Sequence, residues 1–289
     1  MLGKTRPDHP PEYDERYDAI VGQARGLLQQ PASAGKFKHF RLSPPVELSL
    51  WVAHFWMTAW QIEGPEPHIV ETLPHPNFHL VFESGQWTIS GIHSGKFTRT
   101  LEGNSFAFGI KFTPGGFRPF LSQPAAALAN KTVAAIEIFG TSIENLQLDA
   151  NDEAAMTQQA SAFLLTRLPK PDPMVAEVNQ IVDGILHNPQ LTTVDMLCAS
   201  VGLSKRALQR TFHEYVGATP KWVIRRYRLH ELVERCHSGE QLDFAQLAVD
   251  LGYFDQAHLI NDFRSIVGYT PTQYQKAAAK AKPKAARRV

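Results

Sequence analysis

Residues 191–223 read LTTVDMLCASVGLSKRALQRTFHEYVGATPKWV, and residues 241–274 read QLDFAQLAVDLGYFDQAHLINDFRSIVGYTPTQY. The second stretch repeats the first. Leu197, Val201 and Gly202 recur as Leu247, Leu251 and Gly252 at an offset of 50. Leu208, Phe212, Gly217, Thr219 and Pro220 recur as Leu259, Phe263, Gly268, Thr270 and Pro271 at an offset of 51, so one extra residue sits in the turn of the second copy. Each copy reads as a helix, a tight turn at glycine, a second helix and a G-x-T-P stop. That is the sequence form of a helix-turn-helix.

The local signals agree with the repeat. Thr192 and Thr193 cap the first scaffold helix, and Asp195 sits in its first turn, where the helix dipole favours an acid. Ser204 caps a recognition helix over 205–215, whose inner side is Ala207, Leu208, Thr211, Phe212 and Tyr215. Pro220 opens a long helix over 220–237 with the apolar stripe Trp222, Val223, Leu229, Leu232, Val233 and Cys236. At 1.5 Å per residue this connector spans about 27 Å. One turn of B-DNA is about 34 Å, so a single rigid helix can present both recognition helices to successive major grooves.

A recognition helix packs one face and reads bases with the other. In the first copy Arg206, Gln209 and Arg210 lie opposite Leu208 and Phe212. Arginine pairs in bidentate fashion with guanine, and glutamine with adenine. Ser204 and Lys205 at the helix start, Arg225, Arg226 and Arg228 on the connector, and His258 in the second copy are read as phosphate contacts. A lone arginine is as readily a solvated surface residue; the helix-turn-helix frame is what makes the set informative.

Residues 191–275 resemble the DNA-binding domain of the AraC/XylS family of bacterial transcription regulators. The pattern S-x-R-x-L-x-R-x-F is complete in 204–212. G-x-[ST]-P with a following aromatic and R-L is met by Gly217, Thr219, Pro220, Trp222, Arg228 and Leu229. The second half, G-[FY]-x-D-Q followed by a small residue, is met by 252–257, with Phe263, Gly268, Thr270 and Pro271 behind it. The resemblance implies seven helices carrying two motifs. It implies base contacts from Arg206, Gln209 and Arg210 in the first half and from Gln256, Ala257, Ile260 and Asn261 in the second. The family's usual arginine in the second recognition helix is replaced here by Asn261, with Ile260 and Asp262 beside it. The second reader is therefore expected to be the weaker.

The net charge of +1 conceals an asymmetry. Residues 190–289 carry 15 Lys/Arg and 9 Asp/Glu, a balance of +6, while residues 1–189 carry 14 and 19, a balance of −5. A polyanion partner, double-stranded DNA, suits the C-terminal part only. There is no run of 18 apolar residues, so no membrane span is expected. The N-terminus is polar and lacks an apolar signal core, which points to a cytoplasmic location. Cys198 and Cys236 fall at apolar helix positions and read as free thiols rather than as a disulfide or metal pair.

Upstream, the sequence divides into a lead-in and short helix over 1–35, a β-rich domain over 36–168, a Pro-rich break at 169–173, the double helix-turn-helix domain over 174–277 and a basic tail over 278–289. The lead-in helix is read over 14–30. In 36–122, short apolar or alternating segments about ten residues apart are separated by turn signals such as Ser84-Gly85, the pattern of an antiparallel sandwich or a cupin-like barrel. In QWTISG, Trp87 and Ile89 share one face. The stretches FRPFLSQPAAALANK and DEAAMTQQASAFLLTRL read as helices, as does 174–187. The overall expectation is a two-domain α+β chain. Residues 36–140 are also similar to a β-rich domain of uncharacterised function found joined to such DNA-binding regions.

The aromatics Trp51, Phe55, Trp56, Phe82, Trp87 and Phe112 are read mostly as core, with an aromatic-lined mouth for a small apolar effector as the functional alternative. His75, His79 and His93 with Glu71 and Glu83 are the residues a cupin-like metal enzyme would use, but the H-x-H with a spaced Glu is absent. No cofactor and no metal are expected. A methyl-accepting DNA repair protein needs reactive cysteines in residues 1–189, which hold none. A purely architectural DNA binder does not need the Arg206, Gln209 and Arg210 set. The expectation is a non-enzymatic, sequence-specific regulator, controlled by an effector or by homodimerisation through the β-rich domain, and touching RNA polymerase where it activates.

Overall fold

The computed structural model describes residue 28 and residues 35–62, 68–146, 148–238 and 242–281. The expected lead-in and its helix, Leu28 excepted, lie outside these residues, as does the basic tail beyond residue 281.

The alternating segments form strands. They are β1 (Gly35–Leu42), β2 (Val52–Ile62), β3 (His68–Thr72), β4 (His79–Glu83), β5 (Gln86–Ser90), β6 (Phe97–Leu101), β7 (Asn104–Phe112) and β8 (Thr132–Ala134). Six of them make an antiparallel sheet in the order β1-β2-β7-β4-β5-β8, and β3 and β6 pair as a separate ribbon. The sheet is open, ending at β1 and β8, and does not close into a barrel. The β4–β5 hairpin turns at Ser84-Gly85, both at positive φ (50° and 77°), the geometry that matches strand twist. As the alternation requires, Trp87 and Ile89 are buried together while Gln86 is exposed. Leu101 and Val70 of the ribbon pack on Trp60, Ala107 and Val81 of the sheet. Arg99 lies 5.1 Å over the Trp60 ring and pairs with Glu83.

The expected helix over FRPFLSQPAAALANK is not continuous. Pro119 and Pro124 interrupt it, leaving two 3-10 turns, Arg118–Phe120 and Ala125–Leu128. The other helices form: α1 (Ile136–Phe139), α2 (Glu153–Leu165), α3 (Pro173–His187), α4 (Val194–Val201), α5 (Lys205–Thr211), α6 (Pro220–Ser238), α7 (Phe244–Asp250), α8 (Gln256–Val267) and α9 (Pro271–Ala281). The seven helices that the resemblance implies are α3 to α9.

One apolar cluster runs from the sheet into the first motif. Phe55, Met57, Leu80, Ile89, Phe108, Ile110 and Phe112 cover one sheet face, and Phe117, Ala125 and Leu128 continue it to Val178, Leu208, Phe212, Val216 and Val223. Polar joints fix the same seam. The Tyr215 hydroxyl donates to Asp172 at 2.7 Å, and Arg118 pairs with Glu214 at 2.5 Å. Asn179 accepts from the Gly115 amide at 2.9 Å and donates to the Leu50 carbonyl at 3.0 Å. The stretch Phe212–Val216 after α5 widens into a π turn, from which Glu214 and Tyr215 make these contacts. A second cluster belongs to the second motif: Leu229, Leu232, Val233, Leu247, Leu251, Leu259, Phe263 and Tyr274, joined by Leu28 and Leu73. The Tyr274 hydroxyl donates to the Leu28 carbonyl at 2.5 Å.

The proposed aromatic effector mouth does not form. Phe55 and Phe112 are fully buried, Trp51 and Trp87 nearly so, and Phe82 packs on Trp87 at 5.2 Å. Side chains alternate across a strand, which puts Trp56 on the opposite sheet face from Phe55. These six residues therefore fill two layers instead of lining one pocket.

Candidate nucleic-acid interface

Each motif is set by the same few local devices. The first-motif helices are capped by Thr193, accepting from the Met196 amide at 3.1 Å, and by Ser204, accepting from Ala207 at 3.2 Å. In the second motif Asp243 accepts from Ala245 at 2.9 Å and Asp255 from His258 at 2.7 Å. Gly202 and Gly252, in the two turns, both hold φ at 67°, a left-handed conformation that costs glycine little. A Cβ on Gly252 would lie 2.5 Å from Thr192, so the second turn also closes against the start of the first motif.

On α5, Arg206, Gln209 and Arg210 are exposed, while Leu208 and Phe212 are buried. Their spacing of i, i+3 and i+4 sets the three on one face. On α8, Gln256, Ala257 and Asn261 are exposed, while Ile260 is half-buried and packs on the second cluster. Asp262, which the sequence places beside the second reading face, points the other way. It is buried, accepts from the Tyr253 hydroxyl at 2.8 Å and pairs with Arg225. Burial and the adjacent Asp262 carboxylate raise the Tyr253 pKa. The His258 side chain is exposed, with its ring edge-on to Tyr253 at 5.2 Å.

The three connector arginines read as phosphate contacts are engaged within the protein. Arg225 pairs with Asp262 and donates to Ser265 at 3.2 Å, which ties α6 to α8. Arg226 is 1% exposed. It stacks at 4.6 Å on Trp222 and donates to the carbonyls of Ser94 and Gly95, in the loop between β5 and β6. Burial lowers its pKa to about 10, which leaves it charged at neutral pH. Arg228 donates to the Thr192 and Gly252 carbonyls and lies 5.5 Å over Tyr253, so it joins the two motifs. Burial of Arg226 corrects the sequence reading, while Arg225 and Arg228 stay half-buried with internal partners. A helix carrying Arg225, Arg226 and Arg228 looks like a basic stripe until the elements packed against it are known. Lys205 stays exposed, paired to Asp195 at 2.9 Å, and Ser204 serves as the α5 cap.

One further exposed residue adjoins the second face. Phe254, in the turn before α8, is 92% exposed beside Gln256 and Ala257. The signal was present, since an aromatic in a turn position has no core to join. At the other end of the connector, His75 stacks on His230 at 4.0 Å, so His75 belongs to the joint between the sheet domain and α6. His79 accepts from Trp56, His93 bonds Ser90, Glu71 pairs with Lys96 and Glu83 with Arg99. Among the described residues no three His, Cys, Asp or Glu side chains could hold a metal together. Cys198 and Cys236 are both free, and burial pushes the Cys236 thiol up to about 12. No helix among the described residues is long and apolar enough to cross a membrane.

Comparison with known proteins gives matches to both halves of the chain. Residues 197–277 match a helix-turn-helix domain family, and residues 40–134 match a domain of unknown function, DUF6597. The chain is 32% identical over 100 residues to the F1 operon positive regulatory protein of Yersinia pestis, a stretch covering 34% of this chain and 33% of that one. The match thus spans about a third of that relative's length. Among solved structures, ToxT from Vibrio cholerae O395 aligns over 85% of this chain and 98% of its own at 11% identity and a TM-score of 0.39. A wild-type ToxT from Vibrio cholerae strain SCE256 with bound unsaturated fatty acid aligns over 89% and 100% at 10% identity and a TM-score of 0.35. Likenesses this low assign neither ligand nor partner. The matched segments together identify the C-terminal region as a helix-turn-helix domain, carried behind an N-terminal domain of unknown function.

Proposed function

We propose that the chain is a sequence-specific transcription regulator that binds double-stranded DNA through two unequal readers. One observation carries this reading: two exposed polar helix faces, Arg206/Gln209/Arg210 and Gln256/Ala257/Asn261, sit on motifs locked to one connector by Arg225 and Arg228. The connector α6 has 19 residues, which at 1.5 Å each is about 28 Å, close to one turn of B-DNA. Arg206 and Arg210 read guanine edges, Gln209 reads adenine, and Lys205, with the Ser204 end of α5, approaches phosphate. On α8, Gln256 and Asn261 supply neutral amide donors and Ala257 an apolar contact, with Ile260 in a lesser, packing role. Phe254 extends this face with an apolar group suited to the thymine methyl. His258 is the remaining phosphate candidate there.

The relative named as a positive regulator supports activation, with RNA polymerase as the protein partner. The N-terminal domain is the regulatory half, through a small effector or through self-association. Selection of bound duplexes from a random pool at stated salt tests the reading. The expected result is one enriched bipartite site, its halves about one turn apart, with the stronger base preferences in one half. Recovery of sequences with no shared motif at physiological salt refutes it.

A further inference from the structure

The sheet face opposite the main core carries a row of basic side chains that DNA recognition does not use. His54 of β2 stands opposite Lys111 of β7, and Lys111 stands opposite His79 of β4. Three bases therefore line up across three central strands, in cross-strand positions where like charges repel. Arg41 and His39 of β1 pair with Trp56 and Thr58, which share the His54 face, and His39 Nδ1 lies 2.9 Å from the Thr58 hydroxyl. On the other side Ser90 pairs with His79, and its hydroxyl lies 3.1 Å from His93 Nε2. The three central side chains are half-buried, neither sealed in the core nor spread on the surface.

The electrostatics are one-sided. Burial first, then Lys111, Arg41, His79 and His39, hold His54 down at about 2. Burial, then Lys111, Arg41 and His93, hold His79 at about 3, and burial followed by Arg41 holds Lys111 at about 7. Among the described residues no carboxylate acts on any of the three. Glu83, further along the same face of β4, is paired with Arg99. Among the described residues the Lys111 ammonium makes no hydrogen bond or ion pair. A half-buried ammonium without a counter-ion is costly to keep, and strongly perturbed groups gathered in one place point to a ligand.

The neighbouring groups complete a site. Trp56 Nε1 donates to His79 Nδ1 at 3.3 Å, which leaves the proton of neutral His79 on Nε2 as a donor. The Trp56 indole lies across Gly109, where a Cβ would come within 2.1 Å of the ring. That close approach gives the row a flat apolar wall. We propose that His54, Lys111 and His79 form an anion-binding site for a small carboxylate- or phosphate-bearing molecule, with Lys111 supplying charge, the imidazoles supplying N–H donors and Trp56 covering the ligand's body. This replaces the apolar effector mouth with an anionic one, and it stands whether or not the chain reads DNA as proposed above.

The test uses the full-length protein and three probes at constant ionic strength: inorganic phosphate, benzoate and octanoate. Binding is followed by calorimetry and tryptophan fluorescence at pH 6 and pH 9. At least one probe saturates at pH 6. For benzoate or octanoate, ionised at both pH values, affinity then falls about ninetyfold at pH 9, because the protonated fraction of a lysine at about 7 falls from about 0.9 to about 0.01. His54 and His79 are neutral at both pH values, and Arg41 remains charged. Lys111→Gln weakens binding at pH 6 at least tenfold and flattens the pH dependence, with its urea midpoint no lower than the parent's. Where that variant fails to fold, His54→Gln is read by the same criterion of weakened binding. Saturation by none of the three probes overturns the proposal, and so does saturable binding that the variants leave unchanged.

Discussion

Replacing Arg226 by alanine separates a brace from a DNA contact. On the structure, Arg226→Ala removes charged donors to the Ser94 and Gly95 carbonyls and a stack on Trp222. Hydrogen bonds from a charged group contribute about 1.5–3 kcal/mol. A largely desolvated cation–π contact contributes about 1–2 kcal/mol. The expected loss is therefore about 3 kcal/mol, discounted slightly because Nη1 is buried without a partner. For a chain of this size that is a fall of about 6–12 °C in Tm. The readouts are a urea midpoint, a calorimetric Tm and the salt dependence of duplex binding. A brace lowers the first two and leaves the slope of log K against log salt unchanged. A phosphate contact does the reverse, with stability intact and the slope reduced by about 0.9. The second pattern would refute the assignment of Arg226 to the domain joint.

Four further outcomes follow from named contacts. Arg210→Ala weakens operator binding by about 1–3 kcal/mol in a mobility-shift titration, while Asn261→Ala costs less; a larger Asn261 effect reverses the ranking of the readers. Phe254→Ala leaves the Tm unchanged, since the side chain is exposed, and replacing thymine by deoxyuridine in the second half-site weakens the parent protein but not this variant. Asp262→Asn breaks the tie to Arg225 and lowers the urea midpoint by an amount on the order of 1–3 kcal/mol, without removing a group from the reading face. Lys111 titrates at about 7 when folded and at the ordinary 10.5 when unfolded, so between these values the unfolded chain holds more protons. Stability accordingly rises with pH across that window, and Lys111→Gln abolishes that part of the slope.

The repeat made the second domain legible because its signals are local. Caps, glycine turns and the Leu–Phe inner faces are decided within a few residues; Thr193, Ser204 and the glycine turns fall where the spacing put them, while Thr192 does not cap and the helix read over 205–215 gives way to a π turn after Thr211. The strands were legible for the same reason, from alternation and from turns such as Ser84-Gly85. What the sequence could not supply was the partner of each charged side chain. Arg226 meets Ser94 across 132 residues, and Arg228 meets Thr192 across 36. A helical wheel of α6 shows a basic stripe; only tertiary packing turns it into three internal braces. The basic row His54–Lys111–His79 was hidden likewise, since it exists through register between strands far apart in the chain. In 117–131, Pro119 and Pro124 outweigh the helix preference of the run of alanines.

The uneven ownership of the two motifs has a consequence for modularity. The first motif shares its apolar cluster with the sheet domain, whereas the second has a separate cluster that, among the described residues, borrows only Leu28 and Leu73 from upstream. A chimera spliced at the Pro-rich segment 169–173 would therefore not exchange one self-sufficient module for another. It would strip Leu208, Phe212 and Val216 of the Phe117, Ala125 and Leu128 surface they pack against, and the donor head would have to rebuild that seam. Heads of this kind are then interchangeable only together with the seam, and the two readers should drift under different constraints: the first tied to its own N-terminal domain, the second free to follow the DNA.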